Sequence, residues 1–132
     1  MSERIWLNWI GLPHLTGADP DNGEGIDCLV MCLKVRAAAG LRTPEVDMTW
    51  FVMAAAGQWD ELEREWRRVM ERCDVEPYGM LMERQRCGLG VQIVVDDGVL
   101  MVHHRRGCQW VPLEVAGRLM KLECWRPRYV AG

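Results

Sequence analysis

Cysteine 28 is the residue around which chemistry is most readily built. It follows Asp27 directly and opens the run Leu29 to Ala39, which is apolar, Ala-rich, free of Gly and Pro, and stopped at Gly40. Such a run predicts a buried helix with an Asp N-cap and a Gly C-cap. That places Cys28 on a first helical turn, where unpaired N–H groups and the positive dipole end favour a thiolate, the nucleophilic form. The competing role is a small apolar filler in a helix–sheet contact. Cys32, one turn further on, shares a face with Cys28, as a dithiol module or half of a metal site would require. No His or Cys pair elsewhere has finger-like spacing, so neither a metal nor a cofactor is predicted. A thiol nucleophile also needs an imidazole base, and the chain has three histidines: His14, His103 and His104. The last two are adjacent; on a strand they would point to opposite faces. Asp27 is better explained as a cap than as an acid.

The elements that must position these groups fall into two halves. Residues 1–73 read as mainly helical and residues 74–132 as mainly β, within one domain spanning 1–132. Ser2 to Ile10 is a short amphipathic helix candidate, and Leu12 to Ile26 is a Gly/Pro/Asp-rich loop delivering the chain to Cys28. A short apolar helix is predicted from Asp47 to Ala56, ending at Gly57. A longer one is predicted from Gln58 to Cys73, with Trp59, Leu62, Trp66, Val69, Met70 and Cys73 on a buried stripe and pairs such as Glu63–Arg67 on a solvated face. Short β-prone runs follow at Tyr78–Glu83, Val91–Val95, Val99–Arg105, Gln109–Val115 and Met120–Trp125. Asp97-Gly98 predicts a type I′ hairpin turn, pairing Val95 with Leu100, Ile93 with Val102 and Gln92 with His103. Val91, Ile93, Val95, Leu100, Val102 and His104 then share one face; Gly90, Gln92, Val94, Met101 and His103 share the other. Helices first and antiparallel strands second predict an α+β fold.

Composition narrows the function classes. The 132 residues are 49% hydrophobic and 27% charged, with a net charge of −3, which argues against general nucleic-acid binding. No apolar run approaches the ~18 residues of a membrane span, and the N-terminus lacks the apolar centre of a secretion signal, so synthesis in the cytoplasm is expected. The six cysteines (28, 32, 73, 87, 108 and 124) are scattered and are expected as reduced thiols. Seven Trp and nine Met are compatible with contact surfaces as well as core.

Trp9-Ile10-Gly11-Leu12-Pro13-His14, followed by Gly17, Asp19-Pro20, Gly23 and Gly25-Ile26-Asp27-Cys28, resembles the N-terminal segment of the NlpC-type papain-like cysteine peptidases, in their phage-tail branch. Members show W-x-G-x-P-Y, a Gly/Asp-rich loop, and D-C at a helix N-terminus. The resemblance extends to Arg126-Pro127. It implies a papain-like fold, with N-terminal helices packed on a small antiparallel sheet and Cys28 as nucleophile. The family's base lies in a strand motif close to H-V-G-I. Aligned on the hairpin turn, this chain has Gly90-Val91-Gln92-Ile93 there, so the base is lost. The orienting position falls on His103, which becomes the candidate base; His14, at the family's Tyr position, is the alternative. Leu29 and Val30 stand where the family usually has a small or Trp residue and then Gly, crowding the cleft. The resemblance therefore implies a phage tail-tip or tail-assembly component in the virion, a pseudoenzyme made in the host cytoplasm, with other tail proteins as partners and no membrane span. The alternative it implies is an active peptidoglycan endopeptidase acting during infection through Cys28 and His103.

Overall fold

The computed structural model of the protein describes residues 4–85 and 88–128. Helix α1, Cys28–Ala38, begins where Asp27 turns extended: its Oδ1 accepts the backbone N–H of Leu29 at 2.8 Å and of Val30 at 3.1 Å. Those bonds satisfy two of the donors that a helix start leaves unpaired. The helix gives way to Gly40 in the left-handed region, φ +75°. Helix α2, Met48–Ala55, repeats the plan, with Asp47 capping through the Thr49 N–H and Gly57 beyond its end at φ +71°.

Helix α3, Trp59–Val69, is shorter than the apolar periodicity predicted. The chain becomes strand β1, Met70–Cys73, instead of continuing helically to Cys73. Strand β6, Cys124–Pro127, supplies the reason: it pairs antiparallel with β1 from Met70↔Pro127 to Cys73↔Cys124, and the Arg128 N–H extends the ladder to the Val69 carbonyl at 2.9 Å. Val69, Met70 and Cys73 fit a helical stripe and a strand equally well, so long-range pairing decides. Pairing also sends Met70 wholly into the core and sets Arg72 over the Trp125 ring, 5.5 Å from its centroid.

The remaining elements are β2 (Met80–Gln85), β3 (Gly88–Val95), β4 (Gly98–His103), β5 (Gly107–Pro112) and α4 (Leu113–Leu119). The strands form an antiparallel sheet in the order β1-β6-β2-β3-β4-β5, so the fold is α+β. The strand predicted through Val115 stops at Pro112, which cannot donate to a ladder and sits instead as the residue before α4. Of the strand predicted at Met120–Trp125, only Cys124 and Trp125 are paired. The first part of the chain thus contributes β1 to the sheet, and the second part contributes α4. Ser2 and Glu3, in the predicted N-terminal helix, and Cys87 lie outside the described residues; Ile5–Trp9 forms a 3-10 turn.

The β3–β4 hairpin corrects the predicted register. Its two turn residues are Asp96 and Asp97, at φ +51° and +58°, as a type I′ turn requires, and the pairs are Val95↔Gly98, Val94↔Val99 and Ile93↔Leu100. The slip is two residues, so no side chain changes face. Gly98 is a strand residue, not a turn residue. A Cβ there would lie 2.3 Å from the Trp110 ring, whose Nε1 donates to the Val95 carbonyl at 2.8 Å.

Each face of the sheet is covered. Val91, Ile93, Val95, Leu100 and Cys108 join α1, Ile26, Trp6, Trp9, Trp50, Trp66 and Trp125 in the larger core. Leu81, Val94, Val99, Met101 and Cys124 meet Ala116 of α4 in the smaller one. The N-terminal segment seals the edge of β5: Gly11 N–H donates to the Cys108 carbonyl and Cys108 N–H to the Leu12 carbonyl, both at 2.8 Å. Trp6 stacks on Trp110 at 6.4 Å. Among the described residues no helix is long and apolar enough to cross a membrane.

Candidate active site around Cys28

The loop before α1 is held against the helix start by backbone bonds. Ile26 N–H donates to the Pro13 carbonyl, Leu15 N–H to Ile26, and Asp27 N–H to Ala18. The buried Asp27 carboxylate closes the arrangement, because its Oδ2 accepts the Gly17 N–H at 2.9 Å while Oδ1 caps the helix. Asp27 is therefore a structural hub of the loop as well as a cap, with both oxygens occupied.

Cys28 stands on the first turn of α1, as expected, and packs against the larger core. The residue as a whole is half-buried, and the sulfur is its enclosed part. Burial, reinforced by the Asp27 charge, pushes the thiol up to about 11, against backbone N–H groups of Val91, Leu29 and Cys28 itself that pull it down. Desolvation outweighs the helix terminus here, so the thiol stays protonated at neutral pH. Cys32 is completely buried, and burial together with Cys28 holds its thiol up as well. The described cysteines 28, 32, 73, 108 and 124 are free thiols. Among the described residues no group of three or more His, Cys, Asp or Glu is placed to hold a metal ion.

His103 is on the other side of the sheet. Strand residues alternate, and β4 sends Leu100 and Val102 toward the α1 core but Val99 and Met101 into the smaller core, so His103 follows the latter pair. The predicted pairing of His103 with Gln92 is absent from the β3–β4 ladder, and on the other side of β4 His103 pairs with Gly107. The imidazole builds the β4–β5 turn: Nδ1 accepts the backbone N–H groups of Arg105 and Arg106, each at 3.1 Å. Burial, then His104, Arg106 and Arg105, hold its pKa below the usual imidazole value. His104 is exposed where the strand ends. The two rings stack at 4.5 Å instead of pointing to opposite faces. His14 is exposed and its backbone bridges Ile26. Among the described residues no hydrogen bond joins an imidazole to the Cys28 thiol.

Strand β3 shows why no base is offered from the expected motif. Its residues facing α1 are Leu89, Val91, Ile93 and Val95, all apolar. Gly90, aligned with the family's His, faces the opposite side with Gln92, which is buried with its Oε1 unpartnered. The position that approaches Cys28 is Val91. Leu29, beside the thiol, is buried, and Val30 half-buried.

Sequence reasoning overlooked Arg36. It is buried near the end of α1, donating from Nε to the Arg42 carbonyl at 2.9 Å and from Nη1 to the Tyr78 carbonyl at 2.5 Å. A charge interrupting the apolar run at Val35-Arg36-Ala37 was the available signal. In comparisons with family models, curated proteins and solved structures, nothing matches this chain.

Proposed function

We propose that this protein is a tail-tip or tail-assembly component of a bacteriophage, built on an NlpC-type papain-like fold whose catalysis is impaired. The N-terminal motifs ending in Asp27-Cys28 support the family, and the α+β order of elements is compatible with it. The observation that carries the loss of catalysis is the state of Cys28. It occupies a nucleophile's place at the start of α1, yet its thiol is held up to about 11 and the strand beside it presents apolar side chains. A cysteine peptidase needs a thiolate and an imidazole together. Here the thiol has the nucleophile's position, and among the described residues no imidazole is hydrogen-bonded to it.

The role is then one of contact within the tail. Exposed apolar side chains such as Met48 and Val52 on α2, at 73% and 62% exposure, are compatible with it. The test has two arms. Purified protein and its Cys28→Ala variant are incubated with peptidoglycan, and both variants of the gene are used to complement a phage lacking it. Silence of both proteins on the wall, with tail assembly restored by both genes, supports the proposal. Release of soluble muropeptides by the wild type alone overturns it in favour of an endopeptidase.

A further inference from the structure

We propose that Cys73 and Cys124 are a cross-strand dithiol that small disulfides, oxidised glutathione being the type, convert to a protein disulfide fastening β1 to β6. The two residues are directly opposite in the antiparallel register. The Arg128 N–H bond to the Val69 carbonyl fixes the alternation of the ladder, which makes Cys73↔Cys124 a hydrogen-bonded pair. Such a pair separates its Cα atoms by about 5.5 Å, inside the span a disulfide bridges. Ion pairs between Arg72 and Glu123 and between Arg126 and Glu71, each at 3.6 Å, hold the same register.

The two thiols differ in access, and the difference sets the order of events. Cys73 is half-buried on the outermost strand of the sheet, whereas Cys124 is completely buried in the smaller core. The Cys124 sulfur sits over Gly79, where a Cβ would come within 2.3 Å of it. The Cys73 thiolate therefore attacks the small disulfide first, forming a mixed disulfide and expelling one glutathione thiolate. The Cys124 thiolate then attacks the Cys73 sulfur and expels the second. Two protein S–H bonds are lost, one protein S–S bond forms, and one oxidised glutathione becomes two reduced molecules. Burial, with hydrogen bonding to Glu76 and Cys124, holds the Cys73 thiol up, so the exchange is slow at neutral pH and accelerates with alkalinity. The closed loop runs from residue 73 to residue 124 and contains β2 to β5 and α4.

The test incubates the reduced, folded chain with oxidised glutathione at mildly alkaline pH, blocks remaining thiols, and reads intact mass and peptide map. The expected result is loss of two of the six thiols without retained glutathione, a peptide linking Cys73 to Cys124, and a higher melting temperature that dithiothreitol reverses. Cys73→Ser should abolish the crosslink. Cys124→Ala, if its cooperative melt shows that it folds, should stop at a single glutathione on Cys73. Wild-type protein that keeps a stable glutathione adduct on Cys73, stays fully reduced, or loses two thiols even as Cys73→Ser overturns the proposal.

Discussion

His103 receives the backbone N–H of Arg106 on Nδ1 at 3.1 Å, and the same nitrogen receives that of Arg105. An imidazole used this way is a neutral acceptor inside a turn, with its remaining nitrogen carrying the proton. Protonation of Nδ1 would abolish both bonds. The folded-state pKa lies below the ordinary imidazole value of 6.5, so the unfolded chain binds the proton more readily. The stability from this turn is complete above about pH 6.5 and is lost as pH falls through the lower folded value. Thermal melts at pH 7.5 and pH 5.5, roughly one unit either side of the ordinary imidazole value of 6.5, should differ more in wild type than in His103→Ala. An equal difference in both proteins would remove His103 from the turn's account.

Asp27 predicts a larger effect. Its carboxylate accepts three backbone N–H groups, from Gly17, Leu29 and Val30. Asp27→Ala leaves all three without that acceptor and should cost about 2 kcal/mol or more, above an ordinary cap because the site is buried. Asp27→Asn keeps one oxygen and should cost less. Urea unfolding of the two variants, read as midpoint shifts at constant slope, checks the order.

Two glycine substitutions separate turn chemistry from packing in the β3–β4 hairpin. Asp97 occupies φ +58°, so Asp97→Gly relieves a left-handed residue and should stabilise the protein by up to about 1 kcal/mol. Gly98→Ala should destabilise it by about 1–3 kcal/mol, because the new methyl meets Trp110 at 2.3 Å. Pairing Gly98→Ala with Trp110→Leu should cost less than the sum of the two single changes. Additive losses would mean that Trp110 is not the obstacle.

These residues also mark how much was legible beforehand. Local signals carried the starts of α1 and α2, since Asp27 and Asp47 cap through their own neighbours' N–H groups. Face assignments were legible too, because alternation along Ile93-Val94-Val95 and Val99-Leu100-Met101 survives a two-residue slip. Partners were not. Gly98 reads as a turn residue until Trp110 is laid over it, and Met70 to Cys73 reads as helix until β6 arrives from the other end of the chain. The same holds for the candidate site. Cys28 was visible from its helix start, whereas the removal of His103 to the far face depends on which side of the sheet α1 covers.

The charge state of Cys28 is directly measurable. With its thiol pushed up to about 11, against an ordinary 9.0, the thiolate fraction at neutral pH is about a hundredfold below that of a free cysteine. Iodoacetamide labelling of Cys28, followed by peptide mass, should be slower than for a model thiol by at least that factor. Its rate should rise about tenfold per pH unit through the alkaline range in which the fold persists. A pH-independent fast rate near neutrality would mean a thiolate, and with it a working nucleophile.

Adding an imidazole beside Cys28 tests the geometry from the other side. Val91 faces α1 and its backbone N–H approaches the Cys28 thiol, while Gly90 faces away. Val91→His would place an imidazole against the thiol, where an imidazolium partner lowers a cysteine pKa. Gly90→His would put the same ring into the opposite layer beside Gln92. Labelling of Cys28 at pH 7 should therefore speed up at least tenfold in Val91→His and stay at the wild-type rate in Gly90→His, by the coupling of thiolate fraction to a nearby cation. Both variants lose stability, since each adds a polar ring to a packed layer, so cooperative melting of each is the control. Acceleration in Gly90→His alone would reverse the facing of β3.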